Sequence, residues 1–277
     1  MPSLPTTNLT LHLDASDTDN LFKTVNGGGS GVHTGTPADG DAVQVWNDEG
    51  DGIADVAMIG VGSNAAKYRS ATPLMKHPCL DFDGSVDEFT TRNQADSANH
   101  LISDLITNSA FTFAVAFYPE VIASTNANTY DNDAIFIDTS GFVGLVTKDN
   151  AGTKEIRGYN WDGNDDHIDA TVATGRSWCA FYRHGSGNLK LTIIDDTLTE
   201  TSPSDVPSGN TGSVGGVMHL GSGFGGHHYN GRIGEIAFYS AELTGTDLTN
   251  LKQYFADKWL PGSSQVSRSR VISWGWG

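Results

Sequence analysis

The sequence is poor in basic residues, in glutamate and in cysteine, and it has no long apolar run. Of its 277 residues, 16 are Lys or Arg and 33 are Asp or Glu, so the formal net charge is −17. Nucleic acids and anionic membranes both attract basic surfaces, so this balance argues against either partner. No apolar segment approaches the roughly 18 residues of a membrane-spanning helix. The start, MPSLPT, has neither a basic nor an apolar region, which predicts that no Sec signal peptide is present.

The two cysteines, Cys79 and Cys179, form no C-x-x-C pair and no Cys/His cluster. Their spacing therefore argues against a structural zinc site of that type. Both lie in strand-like runs, which favours two buried free thiols over the alternative of a disulfide.

Glycine and aspartate are abundant, whereas glutamate is scarce. The chain has 33 glycines, and Asp far outnumbers Glu among its acidic residues. Asp and Gly favour turns and Glu favours helices, so the composition predicts short strands joined by many turns. With 38% hydrophobic residues, the chain has enough apolar material for the core of one large domain.

Strands are indicated by apolar residues that recur with a period of two. Leu9, Leu11 and Leu13 alternate with polar residues, and residues 111–117 give the clearest such run, with an apolar face of Phe111, Phe113, Val115 and Phe117. Residues 185–188 have the composition of a hairpin turn between two later strands. Many short strands of this kind predict a sandwich or a barrel.

One segment has helical spacing instead, and a tail of different composition follows it. Apolar residues recur at helical spacing over residues 246–259, ending in Trp259, which we expect to pack against a sheet edge or end. We therefore predict one domain over residues 1–260 and an extended assembly tail over 261–277. The tail has no acidic residue, and its candidate assembly residues are Arg268, Arg270, Trp274 and Trp276. We expect it to dock on a neighbouring subunit, in a homo-oligomer or a larger particle; the alternative is packing on its own domain.

Three motifs occur in an order that resembles a known superfamily. Residues 45–52 resemble a Trp-x-Asp loop with a Gly-rich end, residues 78–85 resemble an apolar-x-Phe-Asp-Gly-Ser signature, and residues 231–239 resemble a closing Gly-x-Ile-x-Glu strand. Over residues 8–260 their order is similar to that of the laminin-G-like, concanavalin A-like jelly-roll superfamily. The resemblance implies an all-β fold, a two-sheet antiparallel jelly-roll sandwich with one C-terminal helix covering one end.

No catalytic pattern stands out in the sequence. Glycanases with this fold carry a Glu-x-Asp-x-x-Glu strand, which places an acid and a nucleophile on one face, and the chain lacks it. A Gly-x-Ser-x-Gly elbow is also absent from the sequence. These absences lead us to expect that the chain is not an enzyme.

An acidic turn after Trp46 resembles a calcium-binding loop. The side-chain oxygens of Asn47, Glu49 and Asp51 alternate along it, and Asp55 follows as a further ligand. Alternating oxygen ligands around a glycine are typical of calcium loops, so calcium is the predicted cofactor. The alternative is a solvated acidic turn without a metal.

A second cluster has the composition of a sugar-binding site. Tyr159, Trp161, Asp162 and Asn164 lie close together in sequence, and Tyr229 lies in a similar polar segment. Aromatic rings stack on sugar C–H faces, while amides and carboxylates bind hydroxyl groups, so we predict glycan binding here. The alternative is a long hairpin tip with one packed tryptophan.

The function predicted first is a non-enzymatic structural or binding component of a bacteriophage virion, in the tail, fibre or capsid surface. This prediction rests on three features: the absence of a signal peptide, a fold that usually works outside cells, and the assembly-like tail. The alternatives are a secreted carbohydrate-binding module, exported by a non-Sec route, and a glycan-cleaving enzyme. The predicted location is the virion, with the extracellular space as the alternative.

Overall fold

The alternating apolar runs of the sequence form strands in the computed structural model. It describes residues 2–23, 34–49, 56–60, 65–71, 75–93, 110–123, 133–138, 143–161, 164–185, 187–209, 216–223 and 227–262. Numbered in chain order, the strands of these residues are β1 Leu9–Asp14, β2 Leu21–Phe22, β3 Val45–Asn47, β4 Val56–Gly60, β5 Lys67–Arg69, β6 Cys79–Asp83, β7 Phe89–Asn93, β8 Phe111–Val121, β9 Asp133–Asp138, β10 Val143–Asn150, β11 Thr153–Trp161, β12 Asp165–Thr171, β13 Trp178–Gly185, β14 Asn188–Asp195, β15 Glu200–Thr201, β16 Val206–Pro207, β17 Met218–Leu220 and β18 Asn230–Tyr239. One 3₁₀ turn, Thr18–Asn20, and one α-helix, α1 Gly245–Trp259, complete the described elements.

The strands form two antiparallel sheets. Sheet A has the order β15-β14-β13-β8-β18-β6-β5, with β1 paired to β18 and β16 paired to β14. Sheet B has the order β12-β11-β10-β9-β17-β7-β4-β3-β2. The described residues therefore confirm the predicted all-β, two-sheet antiparallel sandwich, and the one α-helix among them is the predicted C-terminal helix.

The main core lies between the two sheets. The predicted face of Phe111, Phe113, Val115 and Phe117 is entirely buried in it. Phe113 of sheet A meets Phe136 of sheet B with ring centroids 4.0 Å apart, so aromatic side chains hold the sheets together at their centre.

The helix α1 covers the outer face of sheet A. Leu251, Phe255 and Trp259 are fully buried against small residues of that face, such as Ala114 and Ala116 of β8. The expectation that the helix covers one end of the sandwich, with Trp259 at an edge, is therefore wrong. The reason is that the central strands are apolar on both faces, so the outer face of sheet A also needs a cover.

Two smaller predictions are confirmed, and one concerns residues beyond the described part. Cys79 and Cys179 are both buried free thiols, and burial raises the pKa of each. β13 and β14 are antiparallel neighbours with Gly185 paired to Asn188, as a hairpin over residues 185–188 requires, although Ser186 lies outside the described residues. The predicted tail begins at residue 261, but residues 263–277 lie outside the described residues. Among the residues that the structure describes, no helix has the length and apolar character needed to cross a membrane.

Candidate functional site

The predicted sugar-binding segment forms the hairpin of β11 and β12 at one edge of sheet B. The two strands pair from Glu155 opposite Thr171 to Trp161 opposite Asp165. Ile156, Ile168 and Ala170 point into the core between the sheets. Since side chains alternate along a strand, the intervening residues lie on the outer face of sheet B.

That outer surface carries a row of aromatic and charged residues, which we name the hairpin face. Directly paired residues share a face, so the register places them there in opposite pairs. The hairpin face consists of Arg157 with Asp169, Tyr159 with His167, and Trp161 with Asp165.

The charged groups of the hairpin face are fixed by one another. Arg157 donates two hydrogen bonds of 2.6 Å to the two carboxylate oxygens of Asp169. The Nε2 atom of His167 lies 4.0 Å from Asp169 Oδ2, and the His167 side chain is 39% exposed. A bidentate pair of this kind holds both groups in a defined geometry, so the Asp169 carboxylate, which is 27% exposed, keeps a fixed orientation near His167.

Trp161 provides the exposed ring, whereas Tyr159 does not. Trp161 is 38% exposed at the end of β11, but Tyr159 is 1% exposed and packs with Ala134, Ile137 and Val146. The prediction that Tyr159 contacts a ligand directly is therefore not supported by its burial. Its ring belongs to the hairpin face but packs against side chains of the neighbouring strands β9 and β10 on that same side of the sheet.

The other predicted glycan-binding residues fall in different places. Asn164 is exposed at the tip of the hairpin, close to Trp161. Asp162 lies outside the described residues. Tyr229 is fully buried in the core between the sheets, where it makes an edge contact with Phe82, so its ring is removed from the candidate site.

The sequence analysis did not select the ion pair of Arg157 and Asp169 as part of this site. A signal for them was present, because Arg157, Tyr159 and Trp161 follow one another with a period of two. That spacing places all three on one face of a strand. The pairing of Arg157 with Asp169 depends on the hairpin register, which sequence spacing alone did not define.

The predicted calcium loop is described only at its start. Asn47 ends β3 and is 8% exposed, while Asp51 and Asp55 lie outside the described residues. The side chain of Glu49 turns toward His12 of β1, and its backbone N–H donates a 2.8 Å hydrogen bond to the His12 carbonyl oxygen. Calcium binding by this loop stays a prediction, since two of its four ligands are not described.

The surroundings of Glu49 shift its protonation. Burial, followed by the nearby charge of Asp14, raises the pKa of Glu49 to about 7. Burial alone would lower the pKa of His12, but a hydrogen bond with Glu235 and the adjacent carboxylates outweigh it and raise that pKa. Negative charge is therefore concentrated where β1 meets the end of β3.

The predicted assembly residues belong to the C-terminal tail. Arg268, Arg270, Trp274 and Trp276 all lie outside the described residues. Docking of the tail on a neighbouring subunit therefore stays a prediction.

Comparisons with known proteins relate the chain to others through its fold. No protein-family model matches the chain, and no curated protein is significantly similar to it in sequence. A Trypanosoma rangeli sialidase in complex with sialic acid is similar in structure at a TM-score of 0.53 and 13% identity, covering 92% of this chain and 34% of the sialidase. Domain 4 of an extracellular arabinanase of Geobacillus stearothermophilus, in complex with arabinotriose, is similar at a TM-score of 0.52 and 13% identity, covering 89% of this chain and 99% of that domain.

A third similar structure is an arabinofuranosidase in complex with arabinofuranosyl-α-1,2-xylobiose. Its TM-score is 0.53 at 9% identity, and the match covers 94% of this chain and 61% of the arabinofuranosidase. The chain thus spans about a third of the sialidase and less than two thirds of the arabinofuranosidase. At such low sequence identity, these structural similarities show a shared fold alone.

The comparisons contradict two of the predictions made from the sequence. The similar structures are glycoside hydrolases or a domain of one, so the interpretation as a non-enzymatic virion component is wrong. The prediction that the chain is not an enzyme is contradicted by the same finding. That prediction was based on the absence of only two catalytic motifs, whereas proteins with one sandwich architecture carry many different active sites. What the comparisons support is a fold that occurs in carbohydrate-active proteins.

Proposed function

We propose that this chain binds a glycan on the hairpin face and that it serves glycan processing. The observation that carries the proposal is the exposed ring of Trp161, which shares a face with Asp165 and His167. Sugar sites combine an aromatic surface for the apolar C–H face of a ring with polar groups for its hydroxyls. The hairpin face provides both within one two-stranded ladder.

The similar structures support the same proposal. Domain 4 of the arabinanase is matched over nearly its whole length, and it was solved with arabinotriose bound. The sialidase and the arabinofuranosidase were also solved with sugars bound. We infer that the ligand is a neutral glycan, because a net charge of −17 disfavours the approach of an anionic one.

Replacement of Trp161 tests the proposal. The full chain is titrated with neutral arabinan, xylan and glucan oligosaccharides, and with a sialylated oligosaccharide, while intrinsic tryptophan fluorescence and calorimetric heats are recorded. Trp161→Ala is expected to weaken binding of the neutral ligand by up to about tenfold, since an aromatic contact contributes roughly 0.5–1.5 kcal/mol beyond its area burial.

The matched control is Val86→Ala, which trims another exposed apolar side chain at 42% exposure. It is expected to leave affinity unchanged. Equal affinity of Trp161→Ala and the unchanged chain for every glycan tested contradicts the proposal. Binding of the sialylated ligand alone contradicts the inference of a neutral glycan.

Glycan cleavage by this chain is the second candidate function. It is favoured by the glycoside hydrolases among the similar structures and by the two carboxylates, Asp165 and Asp169, on the hairpin face. Two positions that differ by four along a strand are about 13 Å apart, which is wider than the carboxylate pairs of either glycosidase mechanism. The geometry therefore favours binding. Release of new reducing ends from a bound glycan, abolished in Asp165→Asn, would establish cleavage instead.

A further inference from the structure

Three metal-ligating side chains converge where the first strand of sheet A meets the end of β3. His12 and Asp14 stand two positions apart on β1, and Glu49 follows β3 of sheet B. One ligand atom from each of these residues lies within 4.8 Å of the others. The group is remote in sequence from the hairpin face and has no part in the proposed glycan binding.

Glu235 fixes the orientation of the His12 ring. The Nε2 atom of His12 lies 2.7 Å from Glu235 Oε1, and the other Glu235 oxygen accepts hydrogen bonds from Trp259 and Lys258. Since a carboxylate only accepts, Nε2 carries the proton and Nδ1 points away from Glu235. A carboxylate that holds one nitrogen of a histidine while the other binds a metal is a common arrangement around bound metals.

The opposite nitrogen faces Glu49 across a gap. His12 Nδ1 lies 3.7 Å from Glu49 Oε2, which is too long for a hydrogen bond. Two metal bonds of about 2.1 Å at a tetrahedral angle place their donor atoms about 3.4 Å apart. A movement of a few tenths of an ångström by either side chain therefore brings both atoms onto one ion.

The carboxylates of this region have unequal partners among the described residues. Asp14 and Glu235 bond to the ammonium group of Lys258, and Glu235 also bonds to His12, whereas the Glu49 carboxylate lies 3.7 Å from His12 Nδ1. Glu49 Oε1 is buried and has no hydrogen-bond partner in the described part of the chain. A buried carboxylate oxygen without a donor is costly, and a cation bound to Glu49 removes that cost.

We propose that His12, Asp14 and Glu49 bind a divalent transition-metal ion of the zinc class. One imidazole nitrogen and two carboxylate oxygens suit zinc, whereas calcium and magnesium prefer oxygen ligands throughout. Asp14 is shared between the ion and Lys258. Because β1 belongs to sheet A and Glu49 follows a strand of sheet B, the ion joins the two sheets at this point.

Zinc binding by the full, untagged chain tests the proposal. The chain is first treated with a chelator and then titrated with Zn²⁺ in a calorimeter, and its thermal unfolding is followed with Zn²⁺, Ca²⁺ or Mg²⁺. Zn²⁺ is expected to bind and to raise the melting temperature, because a ligand of the native state stabilises it. When Co²⁺ replaces Zn²⁺, we expect the visible absorption of a cobalt ion that is bound by a small number of nitrogen and oxygen ligands.

Two variants remove ligands while keeping the local structure. His12→Gln keeps a side-chain N–H for Glu235 but lacks the second nitrogen, and Glu49→Gln keeps the shape of the side chain without its charge. Each is expected to weaken Zn²⁺ binding by about tenfold or more and to abolish the Co²⁺ absorption. The matched control is Glu155→Gln, whose side chain is 14% exposed against 18% for Glu49.

The outcomes separate clearly. If His12→Gln fails to fold, Glu49→Gln decides, since no described residue donates a hydrogen bond to the Glu49 side chain. Unchanged Zn²⁺ affinity in Glu49→Gln, or no Zn²⁺ binding by the unaltered chain, overturns the proposal. Stabilisation by Ca²⁺ without stabilisation by Zn²⁺ also overturns it and supports the predicted calcium loop instead.

Discussion

The indole N–H of Trp259, at the end of α1, donates a 2.6 Å hydrogen bond to the carboxylate of Glu235 in β18. Glu235 is fully buried, and Lys258 and His12 complete its surroundings. Burial by itself would raise the pKa of Glu235, but the hydrogen bond with His12 and the charge of Lys258 outweigh it and hold the pKa below its usual value. The helix is thus attached to sheet A by a buried ionic contact as well as by apolar packing.

Removing the charge of Glu235 is expected to destabilise the whole domain. Glu235→Gln leaves the Lys258 ammonium with one fewer buried counter-charge, and breaking such a contact costs about 3 kcal/mol or more. Urea unfolding measures this change. The control is Glu120→Gln, whose side chain is 38% exposed, with an expected change within about 0.5 kcal/mol. Equal effects of the two substitutions would contradict the role given to Glu235.

The close approach of Tyr159 to Gly144 gives a second prediction. A Cβ atom at Gly144 would lie 2.5 Å from Tyr159 Cε1, so Gly144→Ala displaces the Tyr159 ring within the hairpin face. We expect overpacking to lower the free energy of unfolding by about 1–3 kcal/mol. Glycan affinity is expected to fall as well, because the strand that carries Trp161 moves with Tyr159.

A double-mutant cycle isolates this contact. The double variant Gly144→Ala/Tyr159→Ala is expected to lose less free energy of unfolding than the sum of the two single losses, by about 1 kcal/mol or more. The reason is that removal of the Tyr159 ring relieves the overpacking caused by the added methyl group at position 144. Additive effects on unfolding would show that Tyr159 does not rest on Gly144.

Acid sensitivity is predicted at the turn after β14. Burial alone would raise the pKa of Asp195, but Oδ1 accepts hydrogen bonds from the Thr197 side chain and the backbone N–H groups of Thr197 and Thr199, and the pKa is lowered. A lowered native pKa contributes stability above the unfolded pKa, and this is lost as pH falls through the native pKa. Asp195→Asn is therefore expected to destabilise the chain at pH 7 and to lose that effect progressively as pH falls below the unperturbed value of about 3.9 and through the lowered native pKa. Urea unfolding at pH 7 and at a series of acidic pH values measures this change, and a difference that stays constant over the series would contradict the prediction.

Truncation tests the predicted tail. Removal of residues 263–277 leaves all the described strands and α1 in place. If the tail docks on a neighbouring subunit, light scattering is expected to show a lower oligomeric mass with an unchanged circular dichroism spectrum. An unchanged mass would favour the alternative, in which the tail packs on its own domain.

The spacing of apolar residues predicted the strands and the helix well, because a spacing of two or of three to four residues places them on one face of a strand or a helix. The leucines of Leu9–Asp14 and the aromatic face of residues 111–117 are strands, and the helical spacing of residues 246–259 corresponds to Gly245–Trp259. A strand that is buried on both faces is apolar on both, and this pattern does not identify the element that covers its outer face. For this reason the position of α1 was predicted incorrectly.

The candidate sites were harder to predict, because they depend on contacts between distant residues. His12 and Glu235 are separated by 223 positions, and nothing in either local segment indicates the other. Tyr159 and Tyr229 both occur among polar residues, yet both are buried. A phenol group is amphipathic, so its sequence surroundings do not determine whether the ring faces a ligand or the core.

The pairing of β1 with β18 has a consequence for synthesis of the chain. Thr10 donates a hydrogen bond to the carbonyl oxygen of Phe238, 228 positions later. At a translation rate of about 20 residues per second, the first strand waits roughly 11 s for its partner. During that time its leucines have no sheet to join, so the nascent chain exposes an unpaired apolar strand to chaperones until β18 leaves the ribosome.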